Sequence, residues 1–186
     1  MHQFDNPKWL YGVVFLKKEE LALEMFNLGY SVEPFDDRSH ILYRAIDAKL
    51  EDFSIAVIDS GQVEVNLPGF MDTSFLSEAI ENGSERIVRH LINAGADLNK
   101  RGRFDELSLH VAAEEDSLII VEYLVNEYKK KGISLDVKDR FGLTPLHRAA
   151  NRKQLEIYDF LISEGANPLA RNDFSKTPED FLNEDD

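Results

Sequence analysis

Pro178 stands 33 residues after Pro145, each preceded by a threonine, and this recurrence constrains the chain more than any other feature. The better copy reads Gly142-Leu143-Thr144-Pro145-Leu146-His147-Arg148-Ala149-Ala150 and is followed by Glu164-Gly165-Ala166-Asn167. A weaker copy, Leu107-Ser108-Leu109-His110-Val111-Ala112-Ala113, lies upstream. A period of this length signals a stack of supersecondary units, each too small to bury its own apolar face.

Three landmarks extend the period: an apolar start to a first helix, a small residue within it, and a glycine after a second helix. Leu146, Ala149 and Gly165 mark the best copy, with Leu109 and Ala112 lying 37 residues earlier. Leu76, Ala79 and Gly95 precede those, then Leu42, Ala45 and Gly61, then a degraded Leu10, Val13 and Gly29. Thr144-Pro145 is a favourable helix start, with a hydroxyl able to cap and a proline where no amide hydrogen is needed. Gly165 and Gly95 follow helical runs and suit the left-handed residue that ends a helix. Apolar residues recur at helical spacing in the second helices: Ile87, Val88, Leu91 and Ile92; Leu118, Val121, Leu124 and Val125; Leu155, Ile157, Phe160 and Leu161.

These motifs resemble the ankyrin-repeat family, strongly from about Phe70 onward and only by phase before it. The resemblance implies an all-α solenoid of stacked helix–turn–helix units with loop fingers, and a binding role rather than catalysis. It places an atypical N-terminal capping repeat at 1–34 and four repeats at about 35–68, 69–101, 102–138 and 139–171. A truncated cap follows at 172–186. It makes Ala149 and Ala150 small so that inner helices stack closely, and gives His147 and His110 a structural hydrogen bond between neighbouring turns. Glu179, Asp180, Glu184, Asp185 and Asp186 suit a polar C-terminal end. Trp9, Tyr11, Phe15, Phe26 and Tyr30 are expected to close the N-terminal end by bulky packing.

Two departures stand out. The 37-residue spacing puts about four extra residues at Tyr128-Lys129-Lys130-Lys131-Gly132-Ile133, either a lengthened helix ending in cations that suit its dipole or a protrusion. The first half replaces Thr-Pro by His40-Ile41 and carries Phe53, Ile55, Val57 and Ile58 in the following helix.

At 186 residues the chain is one domain-sized unit with room for a core of stacked repeats. It has no cysteine, which excludes a disulfide framework and thiol chemistry. Its first residues show no basic-then-apolar leader pattern, and no apolar run approaches membrane-spanning length; the expected location is the cytoplasm. Asn82-Gly83-Ser84 matches a glycosylation acceptor but reads as a helix-connecting turn. The net charge of −14 argues against nucleic acid and anionic membranes as ligands. It serves solubility alone or meets a basic partner.

Within the family's fold, the concave side combines the fingers with the exposed face of the first helices. One row of positions there holds Asp47-Ala48, Glu81-Asn82, Glu114-Glu115 and Asn151-Arg152, with Glu114-Glu115-Asp116 its densest acid. Acids early in a helix also favour its dipole, so this row is either structural or a contact face. The finger row holds Asp37, Met71, Phe104, Phe141 and Phe174, with Arg103-Phe104 and Arg140-Phe141 as repeated pairs. Exposed aromatics and arginines are typical interface anchors, but packing of finger on finger explains them equally.

The chain carries no phosphate loop, no HExxH metal motif, no nucleophile elbow and no His-Asp-Ser set, and no second His or Cys stands at ligand spacing from His147 or His110. Asp36-Asp37 with Arg38 and His40 is its one compact polar cluster, which a turn and a helix cap explain. The expectation is a protein without enzymatic activity, cofactor or metal, monomeric alone, that binds another protein. One reading, by similarity to ankyrin-type toxin immunity proteins, is an inhibitor that covers a basic toxin or enzyme with an acidic concave face. The alternative is a general adaptor or host-directed effector that binds through the finger aromatics.

Overall fold

The computed structural model describes residues 8–32, 40–67 and 73–183. Length suggests one domain-sized unit; the structure divides the chain into two compact units, Met1–Asp97 and Leu98–Asp186. Eleven α-helices and no strand occur among the described residues.

The first unit contains α1 (Lys8–Phe15), α2 (Glu19–Asn27), α3 (Ile41–Asp47), α4 (Glu51–Asp59), α5 (Phe75–Glu81) and α6 (Glu85–Asn93). They form three antiparallel pairs, with α1, α3 and α5 stacked as one layer and α2, α4 and α6 as the other. The small residues Ala45 and Ala79 are fully buried and let the inner helices approach, with Leu42, Ile46, Leu76 and Ile80 filling the space around them. The outer layer buries Phe53, Val57, Ile87, Val88 and Leu91. Polar contacts join its helices: Glu19 accepts the Phe53 amide at 3.1 Å, and Arg86 pairs with Glu51 at 2.7 Å and with Asp52 at 2.8 Å.

His40 explains how α3 starts without Thr-Pro. Its Nδ1 accepts the Leu42 amide at 3.1 Å, doing the work of a capping hydroxyl, while its ring stands edge-on to Phe75 at 5.4 Å. Asn82-Gly83-Ser84 is the turn the sequence suggests: Asn82 ends α5 and Ser84 caps α6 by accepting the Ile87 amide at 3.4 Å. Gly83 has φ +71° there, and the equivalent turn positions Lys17 and Lys49 adopt φ +54° and +60° with side chains that disfavour it.

The N-terminal aromatics are a correction to expectation. Phe26 packs edge-on against Phe53 at 6.1 Å, but Trp9 is 67% and Phe15 83% exposed. The inward pair on α1 is Leu10 and Val14, one helical turn apart, which leaves Trp9 and Phe15 on the outer arc.

The second unit contains α7 (Ser108–Glu114), α8 (Leu118–Lys131), α9 (Pro145–Asn151), α10 (Leu155–Ser163) and the single-turn α11 (Pro178–Leu182). Helices α7, α9 and α11 form the inner layer, with α8 and α10 behind α7 and α9. Ala112, Ala113, Ala149 and Ala150 are buried where the inner helices meet. Leu155 is exposed and Leu118 half-buried, whereas Ile120 and Tyr158 are buried, so the inward stripe of each outer helix begins later than the sequence pattern suggests. Glu179 and Asp180 are exposed on α11; Glu184, Asp185 and Asp186 lie outside the described residues.

The extra residues lengthen a helix. Helix α8 runs for 14 residues, ends in Lys129, Lys130 and Lys131, and stops at Gly132 with φ +68°. Its last turns bury Tyr128, whose hydroxyl meets Ser108 Oγ at 3.1 Å and receives the Leu109 amide at 3.2 Å. That amide belongs to the first turn of α7, where no helical partner exists, so the hydroxyl completes the helix start.

The histidines bridge successive repeats. His110 Nδ1 accepts the Leu107 amide at 3.1 Å, so its protonated Nε2 donates to Leu143 O at 3.1 Å. His147 repeats the pattern one unit on, with Nδ1 accepting the Thr144 amide and Nε2 donating to Lys176 O, both at 3.1 Å. Both rings are held neutral: burial lowers their pKa values below the usual 6.5, and burial lowers that of His40 to about 4.

The unfolded chain therefore binds protons at these three rings before the folded chain does. Stability is complete above pH 6.5 and falls as pH drops toward the lowered folded values. Each ring adds a limiting slope of about 1.4 kcal/mol per pH unit. Urea unfolding between pH 7.5 and 4.5 is expected to show this loss. His40→Asn, which keeps a capping side chain but does not titrate, is expected to show a shallower one. A second expectation concerns the strained turn: Lys49→Gly should raise stability by about 0.5–1 kcal/mol in the same assay at pH 7.5.

Candidate protein-binding surfaces

Three fingers project from the second unit, each closed at its base by a main-chain bond. These run from the Gly102 amide to Glu106 O at 2.9 Å, from Asp139 to Leu143 O at 2.9 Å, and from Asn172 to Lys176 O at 3.0 Å. A side chain at the finger base fixes each tip. Asp139 Oδ1 accepts the Phe141 and Leu143 amides at 2.8 and 2.9 Å, and Asn172 Oδ1 accepts those of Phe174 and Lys176 at 2.9 and 3.0 Å. The first finger has Gly102 at this position, and the Glu106 carboxylate folds back to take the Phe104 amide at 2.6 Å. A Cβ on Gly102 would lie 2.3 Å from that carboxylate, so the glycine makes the substitution of one acid for the other possible.

The tips are also tied to one another. The Arg140 amide donates to Phe104 O at 2.9 Å, and the Asp173 amide to Phe141 O at 3.2 Å. Gly142 sits where the fingers approach closely: an added Cβ would lie 2.7 Å from the Asp173 main-chain nitrogen. On this frame Phe104 and Phe141 pack together, ring centroids 6.1 Å apart, with the guanidinium groups of Arg103 and Arg140 at 5.6 and 5.5 Å from the Phe104 ring. The two phenylalanines still leave 41% of their surface exposed, and Phe174 leaves 73%. Packing of finger on finger and presentation to solvent therefore coexist at the same residues. Asp37 and Met71, the corresponding upstream positions, lie outside the described residues, as do Asp36 and Arg38 of the polar cluster.

The acidic row has a different character. In the first unit Asp47 and Glu81 stand exposed at the ends of α3 and α5. The neighbouring Glu78 is buried instead, its carboxylate accepting from the Asn82 side-chain Nδ2 at 3.1 Å. Burial first, and then the charge of Asp47, pushes the Glu78 pKa up. In the second unit Asn151 and Arg152 are exposed at the end of α9, and Asp116 is exposed after α7, with Glu115 half-buried beside it. Glu114 is drawn inward: its carboxylate pairs with Arg148 and lies 3.8 Å from Arg152.

Arg148 is the centre of the second unit's polar structure, and motif reading alone passes over it. Its guanidinium Nη1 donates to Glu114, and its Nε and Nη2 donate to Asp139, whose carboxylate is fully buried. Burial opposes the Arg148 charge, but its bonds to Asp139 and Glu114 more than offset this and hold its pKa above the ordinary value. The signal was present in the sequence as an Asp139–Arg148 spacing that carries the finger base onto the next inner helix. Arg148→Met would leave the buried Asp139 carboxylate without its counter-charge. The expected loss is about 3–5 kcal/mol in denaturant unfolding, against about 1 kcal/mol or less for Arg152→Met, whose pair is solvent-exposed.

Among the described residues no cluster of three or more His, Asp or Glu is placed to hold a metal ion, and no helix is long and apolar enough to cross a membrane. No match was found among curated proteins. A family model described as ankyrin repeats, in three copies, matches residues 76–172, more than half of the chain. Ankyrin repeats are protein-binding modules. The chain belongs to the ankyrin-repeat family.

Proposed function

We propose that this chain is a non-catalytic binding module, monomeric and cytoplasmic, whose main contact with a partner protein is the finger edge of the second unit. The observation that carries this reading is the exposure of Phe104, Phe141 and Phe174 on tips fixed to each other by main-chain bonds. Aromatic and arginine side chains held in place before binding lose little entropy on association and make strong anchors. The guanidinium groups of Arg103 and Arg140 make no ion pair among the described residues, so they are available to carboxylates or carbonyls of the partner. This favours the adaptor or effector role.

A second reading, an immunity protein that covers a basic toxin or enzyme, is favoured by a separate observation. Glu115 and Asp116 have no counter-ion among the described residues and remain open to a cationic surface. Glu114 contributes less to it, because Arg148 already neutralises its charge.

Affinity capture from a source-cell lysate separates the two. In the finger reading, Phe141→Ala and Phe174→Ala each weaken the captured partner by about thirtyfold with little dependence on salt. Phe174→Ala should do so while changing stability by less than about 0.5 kcal/mol, since the side chain is largely exposed. In the inhibitor reading, Glu115→Lys with Asp116→Lys abolishes capture of a basic protein, and added salt does the same. A partner retained by all three variants overturns both.

A further inference from the structure

A cavity of about 460 Å³ opens in the first unit between the ends of α1 and α3. Tyr11, Val14, Phe15 and Ala48 give it apolar walls, and Lys17, Arg44 and Asp47 stand at it as charged groups. Phe15 is 83% exposed, an unusual state for so large an apolar side chain beside a concavity. Gly12 forms part of the lining, and a Cβ built there meets no atom within 4 Å, so the missing side chain is part of what leaves the space open.

The charges are as informative as the shape. Arg44 and Asp47 lie three residues apart on α3, a spacing at which opposite charges readily pair, yet no ion pair forms between them. Among the described residues, neither Lys17 nor Arg44 has a side-chain hydrogen bond or ion pair. Elsewhere in this unit the cations Arg86 and Arg89 are paired with carboxylates. In a chain of net charge −14, two unpaired cations against one carboxylate make this a locally positive apolar cavity.

We propose that this cavity is a second protein-binding site, separate from the finger edge, that takes a large apolar side chain of a partner segment flanked by a carboxylate. The apolar side chain fills the space between Tyr11 and Phe15. The flanking carboxylate meets Arg44 and Lys17, and Asp47 accepts a main-chain amide of the segment. The site is complementary to acidic apolar segments and repels basic ones.

The test uses the full chain and fluorescently labelled twelve-residue peptides with a central phenylalanine or leucine flanked by glutamates, lysines or serines. Anisotropy titration is expected to rank glutamate-flanked above serine-flanked peptides and to show no binding of the lysine-flanked set. Gly12→Leu fills the cavity without straining the helix, and Arg44→Glu reverses its charge. Each is expected to weaken the glutamate-flanked peptides at least about tenfold, with thermal unfolding of Gly12→Leu no lower than wild type. Phe141→Ala is expected to leave the same affinity unchanged, which separates this site from the fingers. Equal binding of the lysine-flanked peptides, no binding of any peptide, or unchanged affinity in Gly12→Leu overturns the proposal. So does a wild-type self-association that Gly12→Leu abolishes, because the occupant would then be a second copy of the chain.

Discussion

Each helix pair in this chain leaves one apolar face that only a neighbouring pair can cover, and the structure follows from that dependence. Covering the face demands close inner helices, which is why Ala45 and Ala79 in the first unit and Ala112, Ala113, Ala149 and Ala150 in the second are buried. Close helices bring the loop of one repeat within reach of the next, and His110 and His147 use that reach to add a second hydrogen bond to the carbonyl that closes the following finger. Apolar contact sets the spacing, and the imidazole bridges set the register. Protonating a bridge changes its hydrogen-bonding pattern, so the register is tied to the neutral form of the ring.

The fold was legible in the sequence wherever geometry forces a residue type. Thr144-Pro145, Ala149, His147 and Gly165 each have one local reason to be what they are, and the family match over residues 76–172 covers those positions. Legibility fell where a different side chain does the same job. His40 caps a helix in place of threonine, and Glu106 holds a finger tip in place of an aspartate. Burial was harder still: Leu155 and Trp9 look like core residues by type, but their angular position on the helix faces them outward.

The charged residues show why a net charge is a poor guide to a surface. The densest acid in the sequence, Glu114-Glu115-Asp116, is split by the fold, with Glu114 turned toward Arg148 and Asp116 left in solvent. Conversely, the fingers of a strongly acidic chain carry Arg103 and Arg140 at their aromatic tips. Sequence position places a charge in a row, but only the pairing with residues about one repeat away decides whether it still acts on anything outside the protein. Glu114 and Arg148 are 34 residues apart, a distance at which no local pattern reveals the contact.

The bonds that join one fingertip to the next run from main chain to main chain, from Arg140 to Phe104 and from Asp173 to Phe141. They do not depend on which side chains the tips carry. The side chains at positions 103, 104, 140, 141 and 174 can thus change while the main-chain bonds that present them stay in place. Lineages that share this frame can diverge in what they recognise through a few codons, without passing through an unfolded intermediate sequence.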